Sequence, residues 1–324
     1  MKIRFLILSL FFGVSAWSTL FGYTIPADYI HIECTMKPFV RKSKKISQPR
    51  RPKQAKLGKQ GKVCQTNQKL QVINEKLKRS VEQLNTISHP NIPGPKVARV
   101  ETQKAQETST NWSGYVAATN FNNPARGSVT GAYGSWIVPS IIPSGRNTYS
   151  AIWVGIDGYN SPTVEQIGTA HDYVNGVRYH YAWFEMYPRA SYTIQGFPVN
   201  VDDVISAIVE YAGNDTFILQ IINNTQRIAT TIPTRYTKMS GTQRKNAEWI
   251  FEAPSSNRVL PLTNVQRVYL SGCMAKINGI KRPLNSPFFA NNSIEMVTNN
   301  GTSKAMPSAI SSGGSSFSVT WLHE

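Results

Sequence analysis

Apolar and polar residues alternate in short runs from about residue 110 to the end of the chain. The runs are bounded by Gly, Asn, Asp or Pro and contain no helical period of ten or more residues. A period of two predicts strands whose successive side chains point to opposite faces of a sheet. The predicted strands are Trp112 to Ala118, Val129 to Val138, Ala151 to Ile156, Arg178 to Tyr187, Val204 to Tyr211, Thr216 to Ile222, Ala247 to Glu252, Val265 to Leu270, Met274 to Ile277, Ile294 to Val297 and Ser316 to Trp321.

So many short strands, with turn residues between them, predict an all-β fold, a large antiparallel β-sandwich or jelly roll. Gly213-Asn214-Asp215 and Asn223-Asn224-Thr225 are predicted hairpin turns. A further run, Val164 to Gly168, predicts a short, irregular strand. If it shares a sheet with the strand around Glu248, an amide and a carboxyl group face each other across a groove.

Alternation also predicts which side chains leave the core. Trp153 and Asp157 lie opposite the aliphatic side of their strand, and Glu248 lies opposite the apolar side of its own. In the strand 178–187, one side carries Glu185 among four aromatic residues. Such a face is typical of a concave sheet that binds an elongated polymer, although each aromatic residue alone also fits a second packing layer.

The segment before residue 108 has a different pattern. Residues 37–62 are rich in Lys and Arg with few apolar residues, which favours disorder in isolation. Across residues 63–87, apolar residues recur at threes and fours and predict an amphipathic helix, either a docking or coiled-coil helix or part of a pro-segment. A linker rich in Pro, Gly and polar residues follows. We therefore divide the chain into residues 1–22, 23–107 and 108–324.

The net charge of +17 is concentrated in the amino-terminal third of the chain. Residues 1–107 contain 20 of the 35 basic and 6 of the 18 acidic residues, a net charge of +14, which leaves +3 for the rest. The main domain therefore lacks the basic surface of a nucleic-acid-binding protein, and we expect no nucleic-acid partner.

The amino terminus predicts a secretory signal peptide over residues 1–22. Lys2 and Arg4 precede an apolar run that ends in small residues, and the run is short for a membrane span. An uncleaved anchor is the alternative. No later segment is continuously apolar, so we expect an exported protein with no stable membrane insertion after cleavage.

Cysteine and histidine usage predicts neither a metal site nor a cofactor. Of the three cysteines, Cys34 and Cys64 are the plausible disulfide pair, and Cys273 is a predicted buried thiol. No nucleophile motif is present, and His171 is the only histidine in a suggestive setting. The carboxyl groups of Asp157, Glu185 and Glu248 also allow a glycoside hydrolase on a jelly roll.

Five motifs resemble those of the glutamic peptidase (eqolisin) family, in order and approximate spacing, over about residues 108 to 324. They are Asn111-Trp112-Ser113-Gly114-Tyr115, Trp153-Val154-Gly155-Ile156-Asp157-Gly158, Glu165-Gln166-Ile167-Gly168-Thr169, Tyr181-Ala182-Trp183-Phe184-Glu185-Met186-Tyr187-Pro188 and Asn246-Ala247-Glu248-Trp249-Ile250-Phe251-Glu252. The resemblance implies a concanavalin A-like sandwich of two long curved sheets and an endopeptidase that uses no metal.

The resemblance also implies roles for individual residues. Glu248 matches the general base and acid of the family, and Gln166 matches the amide that stabilises the oxyanion. The positions that match residues lining the family's cleft, and therefore predict substrate contacts, are Trp112, Trp153, Asp157, Trp183, Glu185 and Tyr187. The predicted enzyme is a monomeric, secreted acid endopeptidase that acts on polypeptides.

Members of this family are made as precursors, which gives the basic segment a predicted function. Its Lys and Arg side chains would dock on the carboxyl groups of the cleft at neutral pH and be released when acid protonates those groups. A solvated stalk or a tether is the alternative. For the main domain, a glycoside hydrolase and a lectin-like carbohydrate-binding module are the competing functions.

Overall fold

The computed structural model describes residues 28–32, 36–38 and 106–324. The predicted signal peptide, the helix 63–87 and the possible Cys34–Cys64 pair lie outside these residues. The described chain contains one short helix, α1 (Thr234–Thr237), and eighteen strands: β1 (Ile30–His31), β2 (Met36–Pro38), β3 (Gln106–Ser109), β4 (Trp112–Ala118), β5 (Val129–Ile137), β6 (Ala151–Ile156), β7 (Val164–Val174), β8 (Val177–Tyr187), β9 (Tyr192–Ile194), β10 (Val204–Gly213), β11 (Thr216–Asn223), β12 (Ile228–Thr231), β13 (Asn246–Glu252), β14 (Arg267–Ile277), β15 (Ile280–Pro283), β16 (Ala290–Val297), β17 (Ser303–Pro307) and β18 (Phe317–Trp321).

The strands form one hydrogen-bonded ladder that folds into two layers. The first layer runs in the order β9, β8, β7, β6, β13, β4, β16 and β3. The second runs β12, β11, β10, β5, β14 and β18, and β17 joins β16 to β18. The predicted all-β sandwich is therefore confirmed.

The main core lies between the two layers, and two tryptophans link them. Trp249 of β13 donates its Nε1–H to the carbonyl oxygen of Tyr133 on β5 at 2.7 Å. Trp136 of β5 donates its Nε1–H to Thr169 Oγ1 on β7 at 2.8 Å. Both rings are fully buried, so each satisfies its one polar group inside the core, as buried indoles generally require. Cys273 is a buried free thiol, as predicted.

Strand β7 differs from its prediction, because it is long and regular rather than short and irregular. It continues to Val174 and pairs with β8 along its whole length. The turn between them is Asn175-Gly176, with φ values of 51° and 81°. An Asn-Gly pair is a strong hairpin signal because both residues tolerate a positive φ. The predicted strand ended at Gly168, six residues too early, because the prediction overlooked this turn.

Strand β14 joins two runs that were predicted as separate strands. The register between β14 and β5 shifts between Ser271 and Met274, and Gly272 has a φ of 57° within the shift. A bulge of this kind interrupts the alternation of side chains without ending the strand. Periodicity alone therefore divided one strand into two.

The described amino-terminal residues pair with the sandwich. Strand β1 lies parallel to β12, and β2 lies antiparallel to β9. The division of the chain at residues 107 and 108 stays a prediction. Among the described residues, no helix is long and apolar enough to cross a membrane.

Candidate active site

Glu248 and Gln166 lie in one row across adjacent strands of the first layer. Glu248 on β13 is directly opposite Gly155 on β6, Gly155 is opposite Gln166 on β7, and Gln166 is opposite Glu185 on β8. Directly opposite residues share a face of a sheet. The carboxyl and amide side chains therefore project from the same face, with Cα atoms two strand spacings apart, or roughly 10 Å.

Gly155 forms the floor between these two side chains. A Cβ atom at this position would lie 2.9 Å from the ring of Trp153 and 3.2 Å from the carbonyl oxygen of Glu165. The first distance is shorter than real Cβ contacts, so a side chain here would displace the Trp153 ring. The glycine thus lets the Trp153 ring pack directly against the backbone between Glu248 and Gln166.

Glu248 is fully buried even though it faces away from the main core. Its Oε1 accepts a hydrogen bond of 3.2 Å from the backbone N–H of Tyr159, and its Oε2 has no partner among the described residues. Burial raises the pKa of Glu248 well above its usual value, and the nearby carboxyl groups of Asp157 and Glu165 raise it further. The Tyr159 N–H lowers the pKa in part.

Gln166 is held by a carboxylate on the neighbouring strand. Its Nε2 donates a hydrogen bond of 2.8 Å to Glu185 Oε2, which fixes the orientation of the amide. The same nitrogen carries a second N–H, because an amide NH₂ has two donors. Gln166 Oε1 has no hydrogen-bond partner among the described residues. The amide thus keeps donor and acceptor capacity and does not titrate.

Asp157 lies one residue beyond β6 and holds the segment that leads into β13. Its Oδ2 accepts hydrogen bonds from the backbone N–H groups of Gln243 and Arg244, and its Oδ1 accepts one from Lys245. Burial raises the pKa of Asp157, while the three N–H groups lower it. These bonds hold the start of β13 beside the end of β6, so Asp157 positions the strand that carries Glu248. The charge of Asp157 also raises the pKa of Glu248.

The predicted aromatic residues lie mainly on the Gln166 face. Trp112 and Trp153 meet edge to face with ring centroids 5.0 Å apart, and Trp153 Nε1–H donates to Glu252 Oε2 at 2.7 Å. Trp183 is opposite Gly168 and nearly buried, whereas Tyr187 at the end of β8 is half exposed. The three tryptophans belong to a second apolar cluster, separate from the main core, that also includes Val116, Ile250 and Ile294.

Residues 110–321 match the family model described as the peptidase A4 family. The chain belongs to the peptidase A4 family. The predicted family, glutamic peptidases or eqolisins, and the predicted peptide hydrolase of the glutamic type are thereby confirmed. The glycoside hydrolase and lectin alternatives have no support from this match.

Solved structures of this family share the fold of this A4 peptidase. A crystal structure of scytalido-glutamic peptidase with a transition state analog inhibitor has a TM-score of 0.55 and 22% identity, and covers 66% of this chain and 98% of that one. SCP-B, an eqolisin in a complex with the tripeptide Ala-Ile-His, has a TM-score of 0.51, 18% identity and the same coverage. At these identities the similarity establishes the fold alone. No curated protein sequence matches the chain.

The opposite face of β7 carries a carboxyl group that sequence analysis did not assign to the site. Glu165 is fully buried, and neither carboxyl oxygen makes a hydrogen bond. Burial, and next the charge of Asp157, raise the pKa of Glu165 to about 9, although Thr163 and Arg244 lower it in part. Its position beside Gln166 was visible in the sequence, but its burial depends on the second layer.

In this A4 peptidase, two histidines lie further along the interior face of β7 and β8, the face that carries Glu165. His171 Nδ1 lies 2.9 Å from His180 Nδ1, and His171 Nε2 lies 3.0 Å from Thr169 Oγ1. Burial lowers the pKa of both imidazoles. His171 therefore belongs to the interior of the sandwich, on the other side of the sheet from Gln166. Among the described residues, no group of three or more His, Cys, Asp or Glu is placed to hold a metal ion.

Proposed function

We propose that this A4 peptidase hydrolyses peptide bonds of polypeptides at acidic pH, with Glu248 and Gln166 as its catalytic dyad. The observation that carries the proposal is the row of directly opposite residues Glu248, Gly155, Gln166 and Glu185 on one face of the sheet. A carboxyl group and an oriented amide on either side of a glycine suit addition of water to a carbonyl group.

In the proposed reaction, ionised Glu248 accepts a proton from water through Oε2 as the water oxygen bonds to the scissile carbonyl carbon. The second N–H of Gln166 donates to the oxyanion of the tetrahedral intermediate, because Glu185 holds the first. Glu248 then gives the proton to the leaving nitrogen as the C–N bond breaks. The products are a carboxylic acid and an amine.

Access to Glu248 requires movement of the segment around Tyr159, because the carboxyl group is fully buried and Tyr159 N–H donates to it. Substrate that displaces Tyr159 removes one hydrogen bond from Oε1. We propose that the aromatic residues Trp112, Trp183 and Tyr187, with the carboxylate of Glu185, contact the substrate on this face. Trp153 and Asp157 are buried, so they support the face from below.

The raised pKa of Glu248 sets the expected pH dependence of the proposed activity. Glu248 must ionise to act as a base, and its raised pKa moves that ionisation above the usual range for a glutamate. A base whose pKa lies near the working pH is efficient, so we expect the rate to rise with pH towards that pKa. Burial also raises the pKa values of Asp157 and Glu165, so the fold loses stability as the pH rises further.

A glycoside hydrolase that uses Glu185 and Glu248 is disfavoured by the residue between them. The two residues are three strand spacings apart, roughly 14 Å between Cα atoms, and their side chains project from the same face. Gln166 lies between them and donates to Glu185 Oε2, so this carboxyl oxygen is already bound to an amide.

The deciding experiment is hydrolysis of a denatured protein by the processed chain between about pH 3 and pH 8, a range that includes the usual pKa of a glutamate and the higher values that burial favours for the pKa of Glu248. We expect cleavage that resists chelators, serine reagents and pepstatin and that disappears in Glu248→Gln. Glu295→Gln is the matched control, because Glu295 lies on β16 outside the row. Cleavage by Glu248→Gln at the wild-type rate would refute the dyad.

We further propose that the chain is exported through residues 1–22, acts as a monomer, and is inhibited by its basic segment. The segment's net positive charge is what supports inhibition at a cleft with Glu185 and Glu248. Activity against pH, measured before and after cuts at both ends that remove residues 39–105, tests it. Identical profiles would contradict inhibition.

A further inference from the structure

Residues 28–32 and 36–38 cover one edge of each layer of the sandwich. Strand β1 pairs in parallel with β12, the last strand of the second layer. Strand β2 pairs with β9, the last strand of the first layer. Uncovered edge strands expose unpaired N–H and C=O groups and are liable to associate with other chains. The segment thus ties two edges that lie in different layers.

Backbone hydrogen bonds hold the first part of this segment. The N–H of Ile30 donates to the carbonyl oxygen of Arg227 at 2.8 Å, and the N–H of Ile32 donates to that of Ala229 at 3.1 Å. Thr230 Oγ1 donates to the carbonyl oxygen of Ile32 at 2.9 Å. Alternate residues of a parallel strand donate to the same neighbour, so the N–H of His31 points away from β12.

Apolar side chains provide a second means of attachment. Tyr29 packs against the buried residues Ile222 and Ala229, and Ile32 and Met36 pack against the main core. The ion pair between Asp28 and Arg227 is exposed and adds little. The segment is therefore attached by pairing with β12, by pairing with β9 and by apolar packing, rather than by charge.

The segment also supports a strand of the candidate site. Met36–Pro38 pair with residues 192–194, and β9 in turn pairs with β8 at Trp183 and Phe184. The family match begins only at residue 110, so the segment is an addition to the matched domain in this chain. Between it and β3 lie residues 39–105, which contain many Lys and Arg residues at which a protease can cut.

We propose that residues 28–38 are a permanent strap of the peptidase domain, which stays bound to β9 and β12 when the chain is cut between residues 39 and 105. The processed enzyme is then a complex of two fragments that strand pairing and apolar packing hold together. Removal of the basic residues 39–105 then leaves residues 28–38 bound to the peptidase domain. This inference does not depend on the identity of the catalytic dyad.

The test uses the full chain with a recognition sequence for a site-specific protease inserted after Gln60, and it is done under reducing conditions so that a Cys34–Cys64 disulfide cannot hold the fragments together. After cutting, we expect the amino-terminal fragment to co-elute with the folded domain in size-exclusion chromatography and to separate only in denaturant. Elution of the fragment alone, beside a folded domain, would overturn the proposal. Mass spectrometry of the domain peak identifies the fragment.

Two matched variants show whether strand pairing causes the retention. Ile30→Pro removes the N–H that donates to Arg227, while the Ile30 side chain is mostly exposed and contributes little packing. His31→Pro removes an N–H that points away from β12. We expect Ile30→Pro to weaken fragment binding about tenfold and His31→Pro to leave it within about twofold. Equal behaviour of the two variants would contradict the proposed pairing.

Hydrogen exchange supplies a measurement that needs no variant. The amide of Ala229, which by alternation faces β1 rather than β11, is expected to keep its protection after the wild-type chain is cut, because the strap still covers this side of β12. A loss of protection on cutting, at a constant fold elsewhere, would show that the strap has left and would refute the inference. Activity is not used in this test, so failure of the dyad proposal leaves the result intact.

Discussion

The two faces of strand β7 carry polar side chains in opposite settings. On one face, Gln166 donates to Glu185 and lies in a row with Glu248. On the other, Glu165 and His171 are fully buried between the layers, and burial favours the neutral form of both. Neighbouring residues of one strand thus divide two tasks: one face presents groups to a substrate, and the other makes the stability of the fold depend on pH.

The sharpest test of this division compares Gln166→Ala with Glu165→Gln. Loss of an oxyanion donor is expected to lower kcat by about 10²- to 10³-fold, whereas the neighbouring substitution on the interior face leaves kcat within an order of magnitude. Steady-state hydrolysis of one peptide by both purified variants is the measurement. Equal losses in both would show that the two faces are not functionally separate.

Glu165→Gln should have its main effect on stability. The folded-state pKa of about 9 lies above the unfolded value of 4.5, so the wild-type loses stability as the pH rises between these values. The loss amounts to at most about 1.4 kcal/mol per pH unit. We expect Glu165→Gln to flatten the decline in the free energy of unfolding between about pH 5 and pH 8, measured by urea denaturation. An unchanged slope would contradict the burial of an ionisable group there.

His171→Gln should change how the free energy of unfolding depends on pH on the acidic side. The folded-state pKa of His171 lies below the unfolded value of 6.5, so its contribution to stability is present above pH 6.5 and is lost as the pH falls. We expect a smaller loss of unfolding free energy between about pH 6.5 and pH 4.5 in the variant, by at most about 1.4 kcal/mol per pH unit. Comparison of slopes rather than absolute stabilities removes the cost of repacking.

Glu185→Gln is expected to have the smallest effect. The substituted amide oxygen still accepts from Gln166 Nε2, so the orientation of Gln166 is retained, but a hydrogen bond to a charged acceptor is lost. We expect a decrease in kcat/KM of about fivefold, whereas Glu185→Ala decreases it further because the acceptor is removed. Equal kinetics of the two variants would show that the acceptor is dispensable.

Local alternation predicted the faces of the site correctly. Trp153 lies on the opposite face of β6 from the aliphatic residues, and Glu248 lies on the opposite face of β13 from the apolar residues. The period of two in each strand predicts both placements. The same period failed at β14, where a bulge interrupts it. For β7 the error was different, because the Asn175-Gly176 turn that ends it was overlooked.

The sequence by itself determined the strands, their faces and, through five ordered motifs, the family of this peptidase. Only the tertiary structure decided that Glu248, Gly155 and Gln166 share one row, because register between strands separated by 82 residues depends on packing and intervening loops. It also decided the burial of Glu165 and the pairing of residues 28–38 with two sheet edges. These features depend on contacts between distant segments, and no local pattern specifies them.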